Sequence, residues 1–545
     1  MSESSRLMNA SAVMAAGTAV SRLSGYVRSV LLIAALGGLL HADLFTIANT
    51  LPNMVYILLA GGVFNAVLVP QLVRAQAGED GGAAYTNRVI TLAALFLGGV
   101  TIVLVAVAPW LLRLYLDSAY LDPDRAAHLA SIVDLTRWCL PQVFFYGMFV
   151  LVGQVLNARG TFGPMMWAPI ANNLIAVAML VTYLVVHGTA DGDELVAAYS
   201  TDQEVLLGLG STLGIVAQFL ILLPYLRRAG FHFRPRFDFR DAGLGHTLRL
   251  GTWTVLFVVV NQLAYLVVVK LASGGTAHGG EGTGYTVYQN TFLIMMVPHA
   301  IVTVSLATAI LPRLSELASE DRLRDLGLTL ARTLRTSLAI VLPVAALVPL
   351  LARDVAAVLF GWGAGAGTVH LFAPSLALFA PGLVLFTVHY FMLRGFYALE
   401  QTRLVFFIQC AIAATNIVAA VLLVAAASRE GTSPALVAAY GTAYAVGSAI
   451  SYAVLRRRLG GLDTPRLVRF LARALLACAG AALVTWLVTT GLGVLGEEPP
   501  PLVSGLRGGL AGLAGLATYL LLARAMRVRE VTEVVNTVLG RLRRG

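Results

Sequence analysis

Long apolar runs that recur along the whole chain constrain its fold more than any other feature of the sequence. Three of them are Leu92–Leu112, Leu206–Leu226 and Leu502–Leu522, and each is long enough to cross the roughly 30 Å of hydrocarbon in a bilayer. Charged residues make up 12% of the 545 residues, against about 25% in soluble proteins, because a membrane interior tolerates few charges. The sequence therefore predicts an all-α polytopic membrane protein.

The apolar runs divide into fourteen predicted transmembrane helices. These spans cover residues 10–37, 43–74, 86–114, 127–157, 164–187, 204–226, 248–272, 285–316, 324–351, 369–398, 403–427, 434–456, 468–491 and 502–524. No loop between them is long enough for a soluble catalytic domain, so we expect no enzymatic activity.

Charges between the spans predict the orientation of the chain. Loops after odd-numbered spans are poor in arginine, as at residues 188–203, whereas most loops after even-numbered spans are rich in it, as at 227–240 and 456–466. Short basic loops remain on the cytoplasmic side of the membrane. Both termini are therefore predicted to be cytoplasmic, with residues 527–545 forming a basic tail.

Composition argues against several other kinds of function. The net charge of +10 is spread between apolar runs and forms no basic domain, so we expect no nucleic-acid partner. Cys139, Cys410 and Cys478 lie far apart inside apolar runs, without metal-binding or disulfide spacing, and we predict no metal and no cofactor. The first apolar run contains Arg22 and Arg28, unlike the short uncharged core of a cleavable signal peptide.

Short motifs in the first half of the chain recur about six helices later. Residues 156–162 (LNARGTF) resemble 392–397 (MLRGFY), and residues 69–72 (VPQL) resemble 311–314 (LPRL). Six helices is an even number, so the two copies would have the same orientation in the membrane. Parallel repeats of this kind build two-lobed alternating-access transporters, with the substrate site between the lobes.

The repeat predicts how the chain is divided. We expect two pseudo-symmetric six-helix lobes, an N-terminal lobe over residues 1–230 and a C-terminal lobe over 231–460. Residues 461–526 would supply two further helices, and residues 527–545 the cytoplasmic tail.

Four charged side chains in or beside the predicted spans are candidate substrate ligands. Arg22 and Arg28 lie in the first span, where arginine is costly unless it faces water, a counter-ion or an anionic ligand; arginine also binds phosphate through paired hydrogen bonds. Asp43 begins the second span, where it either pairs with Arg28 or caps the helix. Lys270, the only lysine in the chain, either serves the substrate or extends to the membrane surface.

Several short motifs follow one another in order along the first twelve spans. They are residues 17–28 (GTAVSRLSGYVR), 42–45 (ADLF), 51–53 (LPN), 62–64 (GVF), 69–70 (VP), 157–160 (NARG), 168–173 (APIANN), 311–315 (LPRLS) and 394–399 (RGFYAL). In this order and spacing the chain resembles the MurJ/MviN family of lipid II flippases, and the predicted total of fourteen spans also agrees with that family.

The resemblance implies a fold of the multidrug/oligosaccharidyl-lipid/polysaccharide exporter (MOP) superfamily. It also implies that the chain moves lipid II, the undecaprenyl-diphosphate-linked peptidoglycan precursor, from the inner to the outer leaflet of the bacterial inner membrane. By resemblance, Arg22 and Arg28 would contact the diphosphate or sugar acid groups. Asp43 and Asn53 would belong to the same substrate site, and the last two spans would form a groove for the polyprenyl tail.

Two positions depart from the family pattern. Thr50 stands where many members have arginine before the Leu-Pro-Asn motif, and Thr291, beside Asn290, stands at an arginine position of the eighth span. The cavity would therefore lack two cations, one of which Lys270 is hypothesised to replace. The candidate substrate-binding residues therefore also include Thr50, Asn290 and Thr291, besides Lys270.

Other functions are compatible with the same sequence features. The alternatives are a flippase for another polyprenyl-linked glycan and a drug/cation antiporter of the same superfamily, although an antiporter would be expected to carry acidic residues in its cavity. Sodium ions, protons and the membrane potential are all open as the energy source. The expected partners are lipid II, membrane lipids and proteins of cell-wall synthesis.

Overall fold

A computed structural model describes residues 3–61, 82–238, 244–277, 282–495 and 500–542 of the chain. Every regular element within these ranges is a helix, and twelve helical segments are long and apolar enough to cross a membrane. The prediction of an all-α polytopic membrane protein is therefore confirmed. The 62–64 and 69–72 motifs, the end of the predicted second span and the last three residues of the tail lie outside the described residues.

Contacts within the chain divide it into two units, Met1–Gly280 and Glu281–Gly545. The α-helices of the first unit are α1 (Glu3–Leu36), α2 (Leu40–Tyr56), α3 (Ala83–Ala106), α4 (Ala108–Tyr115), α5 (Ala126–Cys139), α6 (Gln142–Ala158), α7 (Gly163–Val186), α8 (Thr201–Leu220), α9 (Leu222–Arg228) and α10 (Leu244–Ala277). The repeat places the span of α10 at the start of the second lobe, whereas its contacts group it with the first unit. The lobe boundary at residue 230 stays a prediction.

The second unit contains the remaining α-helices. They are α11 (Tyr285–Pro298), α12 (Val304–Ser319), α13 (Leu323–Phe360), α14 (Val369–Ala398), α15 (Thr402–Ala426), α16 (Thr432–Arg458), α17 (Thr464–Gly491), α18 (Pro501–Ala525) and α19 (Arg529–Leu542). The longest of them, α13, packs against α14, α17 and α18.

Two of the fourteen predicted spans fall on helices that are not among the twelve membrane-spanning candidates. The first is α1, which carries Arg22 and Arg28 in its second half. The other is α16, whose centre is rich in glycine, serine, threonine and tyrosine and is therefore less apolar than its neighbours. Both helices are long enough to span a bilayer, at 34 and 27 residues.

Wider helical turns follow proline residues in both units. A π-helical segment at Ile57–Gly61 follows α2, which contains Pro52, and a second one at His299–Thr303 begins directly after Pro298. Proline removes a backbone donor and displaces the preceding turn, and π segments of this kind are common at functional positions in helices. The chain thus continues in the helical direction through both interruptions.

Small residues let the helices of the first unit approach one another closely. A Cβ atom added to Gly17 of α1 would lie 2.8 Å from the indole nitrogen of Trp167 on α7, and one added to Gly147 of α6 would lie 2.4 Å from a methyl carbon of Leu97 on α3. Close backbone approach through glycine is typical of membrane helix interfaces, where lipid provides no hydrophobic driving force.

The segment after α9 is attached to α3. The amide of Arg234 donates to the side-chain oxygen of Asn87 at 2.8 Å, and that of Arg236 donates to the Thr91 hydroxyl at 3.1 Å. Arg88 completes the attachment with an ion pair to Asp238. Its hydrogen bonds hold the pKa of the Asp238 carboxyl below its ordinary value, so this linker runs along a defined path beside α3.

Two sets of ion pairs join helices of the second unit. Arg335 on α13 donates to Asp463, at the start of α17, at 3.1 Å and to Glu530 on α19 at 2.9 Å. Nearer the C-terminal end of α13, Arg507 on α18 lies 2.8 Å from Asp354, and both side chains are at least 90% buried. Charges at these depths require partners, and the pairs therefore fix α17, α18 and α19 against α13.

Candidate substrate-binding site

The two arginines predicted to bind substrate lie on α1, in a stretch that α7 holds in place. Asn173 on α7 donates to the carbonyl of Ser21 and to the hydroxyl of Ser24, both at 2.9 Å. Arg22 is exposed, and Arg28 is half-buried. Because Asn173 is buried and bonded on both sides of Arg22, to Ser21 and to Ser24, it fixes the rotation of α1 that presents the arginines.

Neither Arg22 nor Arg28 takes part in any ion pair in the described part of the chain. The group that interacts electrostatically with Arg28 is the Tyr146 phenol on α6, whose ring stacks on Tyr56 of α2 at a centroid distance of 5.6 Å. An unpaired guanidinium next to hydroxyl groups retains donors for an anionic ligand. This arrangement suits the role predicted for both arginines.

Asp43 lies in a fully buried polar cluster at the start of α2. Its carboxylate accepts a hydrogen bond from Thr276 on α10 at 2.6 Å, and neither side chain is exposed. Tyr120 and Tyr199 lie near enough for the Asp43 charge, after burial itself, to raise the pKa of both phenols. The acidic residue therefore joins α2 to α10, a contact that the sequence did not indicate.

The lone lysine is on the same helix as the partner of Asp43. Lys270 is half-buried and lies six residues before Thr276, about 9 Å along α10 at 1.5 Å per residue. Its carbonyl accepts from Ser273, whose hydroxyl in turn accepts from the amide of Asp117 at 2.9 Å. The described residues give Lys270 no ion pair, so its ammonium group is available to a ligand or to the membrane surface.

Thr50 and Asn53 lie half-buried on α2. Their neighbour Asn49 accepts a hydrogen bond from Gln142 of α6 at 3.1 Å, and Gln142 also donates to Thr212 of α8 at 3.4 Å. Gln262 of α10 donates to the carbonyl of Met54 at 2.8 Å. This part of α2, just before its π-helical segment, is thus bordered by amide and hydroxyl groups.

Asn290 and Thr291 differ from these residues because they lie in the second unit and are buried. The Asn290 amide donates to the carbonyl of Thr286 at 2.9 Å, and the Thr291 hydroxyl donates to that of Val287 at 2.7 Å. Both polar groups are therefore satisfied by the backbone of α11 itself. Their contribution to substrate binding stays a prediction.

Three polar side chains of this region were not among the site residues predicted from the sequence. Asn173, Tyr146 and Thr276 contact or neighbour Arg22, Arg28 and Asp43 from α7, α6 and α10. The double asparagine at 172–173, in the middle of an apolar run, was a usable signal because polar groups in membrane helices need partners. Tyr146 and Thr276 carry no such signal in one sequence. Among the described residues, no group of three His, Cys, Asp or Glu side chains is placed to hold a metal ion.

Comparison with known proteins identifies the family. The family model for the lipid II flippase MurJ matches residues 32–499. The chain belongs to the MurJ family. The resemblance to this family that the sequence motifs indicated is therefore confirmed over most of the chain.

Named relatives in this family come from several bacteria. A lipid II flippase MurJ of Burkholderia cenocepacia is 26% identical over 393 residues, covering 71% of this chain and 72% of the relative. A probable lipid II flippase MurJ of Rhizobium meliloti is 25% identical over 491 residues, covering 87% and 86%. For a probable lipid II flippase MurJ of Haemophilus influenzae, the identity is 28% over 307 residues, which is 55% of this chain and 56% of the relative.

Solved structures agree on the fold. A lipid II flippase MurJ in an inward closed conformation has a TM-score of 0.70 at 16% identity, covering 94% of this chain and 99% of that one. An inward-facing MATE-family multidrug resistance transporter of the MOP superfamily has a TM-score of 0.63 at 17% identity, with 82% and 96% covered. The chain thus has the fold shared by MurJ and MATE transporters, as its sequence motifs implied.

Proposed function

We propose that the chain is a flippase that moves lipid II from the inner to the outer leaflet of the bacterial cytoplasmic membrane. The observation that carries this proposal is the match of the MurJ family model to residues 32–499. A flippase breaks and forms no covalent bond, and the proposed activity is therefore transport and not enzymatic catalysis.

The chemistry of the first unit supports an anionic substrate. Arg22 and Arg28 present guanidinium groups without a carboxylate partner within the described ranges, and Lys270 adds a further cation without an ion pair. A diphosphate offers several oxygens to such groups, and arginine matches them with two parallel donors. The site residues proposed here are Arg22, Arg28, Asp43, Asn53 and Lys270, with Thr50, Asn290 and Thr291 as further members.

Buried Asp43 has a positioning role in this proposal. Its bond to Thr276 joins the helix that carries Thr50 and Asn53 to the helix that carries Lys270. A carboxylate buried with a hydroxyl donor is costly to leave unpaired, so a shift of α10 along α2 would change the energy of this contact. Asp43 is thus suited to couple the position of Lys270 to that of α2.

The proposal includes an architecture that goes beyond the twelve candidate spans. We propose fourteen spans, with α1 and α16 as the additional two, arranged as repeated lobes over residues 1–230 and 231–460. Residues 461–526 would hold the polyprenyl tail, both termini would be cytoplasmic, and transport would proceed by alternating access. Partners in cell-wall synthesis are part of the same proposal.

Complementation of a strain depleted of its lipid II flippase tests the function. We expect the wild-type chain to restore growth, and Arg22→Ala and Arg28→Ala to fail at equal abundance in the membrane. Arg137→Ala is the matched control, because Arg137 is about half exposed and its ion pair in the described part of the chain is with Asp134, one turn away on the same helix. Lys270→Gln is expected to reduce rescue.

Each outcome of this experiment has a defined meaning. If both α1 variants rescue as well as Arg137→Ala, the proposed arginine site is wrong even when the flippase assignment holds. Full rescue by Lys270→Gln removes Lys270 from the site. If the wild-type chain is abundant but does not rescue, assays with other polyprenyl-linked glycans and with cationic drugs would distinguish the two alternative functions.

A further inference from the structure

A cationic cavity lies in the second unit where α17 begins and α18 passes into α19. Its volume is about 310 Å³. The lining residues are Arg466, Arg469, Phe470, Arg473, Arg527, Val528, Arg529 and Glu530. Five guanidinium groups therefore surround one concave space, although they come from two separate segments of the chain.

The cavity has almost no negative charge of its own. Its single carboxylate, Glu530, already accepts a hydrogen bond from Arg335 at 2.9 Å. Arg466 lies 3.4 Å from Asp463, which also accepts from Arg335. The other four arginines of the lining take part in no ion pair in the part of the chain that the structure describes. Like charges so arranged repel one another, and an anion in the cavity would relieve this repulsion.

Local structure fixes the arginines around this space. Arg466, Arg469 and Arg473 are spaced by three and four residues and therefore share one face of α17. Arg527 has a left-handed backbone conformation with φ of 55°, which ends α18 and turns the chain back into α19. Buried Phe470 and Val528 form an apolar floor, so the cavity combines a cationic rim with an uncharged base.

The surroundings of the cavity select a membrane lipid as its occupant. Both α17 and α18 are long and apolar enough to cross a bilayer. On α17, Leu476 follows Arg473 by three residues on the same side of the helix and is 63% exposed, and Leu521 of α18 is 69% exposed. A lipid could place its phosphate among the arginines and its acyl chains along this apolar surface, whereas a soluble phosphate would use only the rim.

We propose that this cavity binds the phosphate of an anionic phospholipid headgroup. The proposal is separate from the transported substrate, and it does not depend on the flippase assignment. Basic pockets beside membrane helices bind anionic headgroups, and each Lys or Arg near the surface strengthens the attraction about fivefold. Neutralising three arginines is therefore expected to reduce the affinity by at least about tenfold.

Lipid retention by the purified full chain tests this proposal. The protein in detergent is titrated with phosphatidylglycerol or with zwitterionic phosphatidylcholine, and bound lipid is counted by native mass spectrometry. The test variant combines Arg469→Gln, Arg473→Gln and Arg527→Gln and leaves Glu530 paired with Arg335. The control combines Arg456→Gln, Arg457→Gln and Arg458→Gln, which remove three exposed arginines at the end of α16 that do not line the cavity.

We expect the wild-type chain and the α16 control to retain phosphatidylglycerol equally and in preference to phosphatidylcholine, and the cavity variant to lose at least about tenfold in affinity. Equal retention by the cavity variant and the control would overturn the proposal, as would equal retention of the two lipids. Displacement of phosphatidylglycerol by millimolar inorganic phosphate would show a phosphate site without lipid specificity, which also overturns it. If the triple variant unfolds, Arg473→Gln alone, with an expected loss of at least about threefold, supplies the same comparison.

Discussion

Replacing Arg507 by methionine would leave the Asp354 carboxylate without its cation. In the native chain the Nε and one terminal nitrogen of Arg507 both lie 2.8 Å from the same Asp354 oxygen. The side chains are only 10% and 5% exposed. Gly508 also contacts Asp354 so closely that an added Cβ would lie 2.8 Å from the aspartate Cβ. Little space therefore remains on that side for water to replace the guanidinium.

The burial of this pair determines the size of the expected effect. Removing one partner of a buried ion pair costs about 3–5 kcal/mol, because a charge then remains buried without compensation. A cavity of about 210 Å³ borders Arg507, and water in it would hydrate part of the exposed end of the site. We therefore expect a loss near the lower end of that range, about 3 kcal/mol, for Arg507→Met.

A double-mutant cycle measures this interaction. Arg507→Met, Asp354→Leu and the double variant are unfolded in detergent, and the free energy of unfolding is compared with that of the wild-type chain. The double variant is expected to lose less than Arg507→Met alone, because no uncompensated charge remains. Arg137→Met is the control, since its exposed pair with Asp134 should contribute at most about 1 kcal/mol.

The reasoning would be refuted if Arg507→Met destabilised the chain no more than Arg137→Met did. It would also be refuted if the double variant lost the sum of the two single losses. Either result would mean that solvent screens this pair as effectively as it screens a surface pair, in spite of the burial of both side chains.

Two further predictions concern close packing and pH. Gly327→Ala should lower the free energy of unfolding by about 1–3 kcal/mol, because its Cβ would lie 2.6 Å from the backbone oxygen of Gly461. As a control, a Cβ at Gly99 meets nothing within 4 Å, and Gly99→Ala should raise the free energy of unfolding by no more than about 1 kcal/mol. A lower melting temperature for Gly99→Ala than for Gly327→Ala would contradict this prediction. Because Arg88 lowers the pKa of Asp238, their pair contributes above the ordinary carboxyl pKa of about 3.9 and is lost as the pH falls through the lowered value. Protection of the linker amides from hydrogen exchange should therefore be constant from about pH 7 to pH 5 and decrease only below about pH 4; a loss near neutral pH would contradict the assignment.

Hydropathy predicted most helices because membrane spans have strong, local signals in the sequence. The predicted span 403–427 and the observed α15, Thr402–Ala426, differ by one residue at each end. The π-helical segments at Ile57–Gly61 and His299–Thr303 were not predicted, although Pro52 and Pro298 indicated bends. A change of hydrogen-bonding register depends on the neighbouring helices, which a single sequence does not reveal.

The residues of the candidate site were predicted less completely than the fold. Arg22, Arg28 and Lys270 were identifiable because charges are rare in apolar runs. The burial of Asp43 against Thr276 was not, since the two residues are 233 positions apart and threonine is common in helices. Similarly, Arg507 near the start of α18 gave no indication that its partner would be Asp354, which lies 153 positions earlier.

The contacts of Arg335 have a consequence for the order in which the chain is synthesised. Its two carboxylate partners follow 128 and 195 residues later. At about 5–20 residues per second, α13 would enter the membrane with this arginine lacking Glu530 for roughly 10–40 s. During that interval the guanidinium must stay hydrated at the membrane surface. The second unit therefore reaches its final charge pairing only after almost the whole chain has left the ribosome.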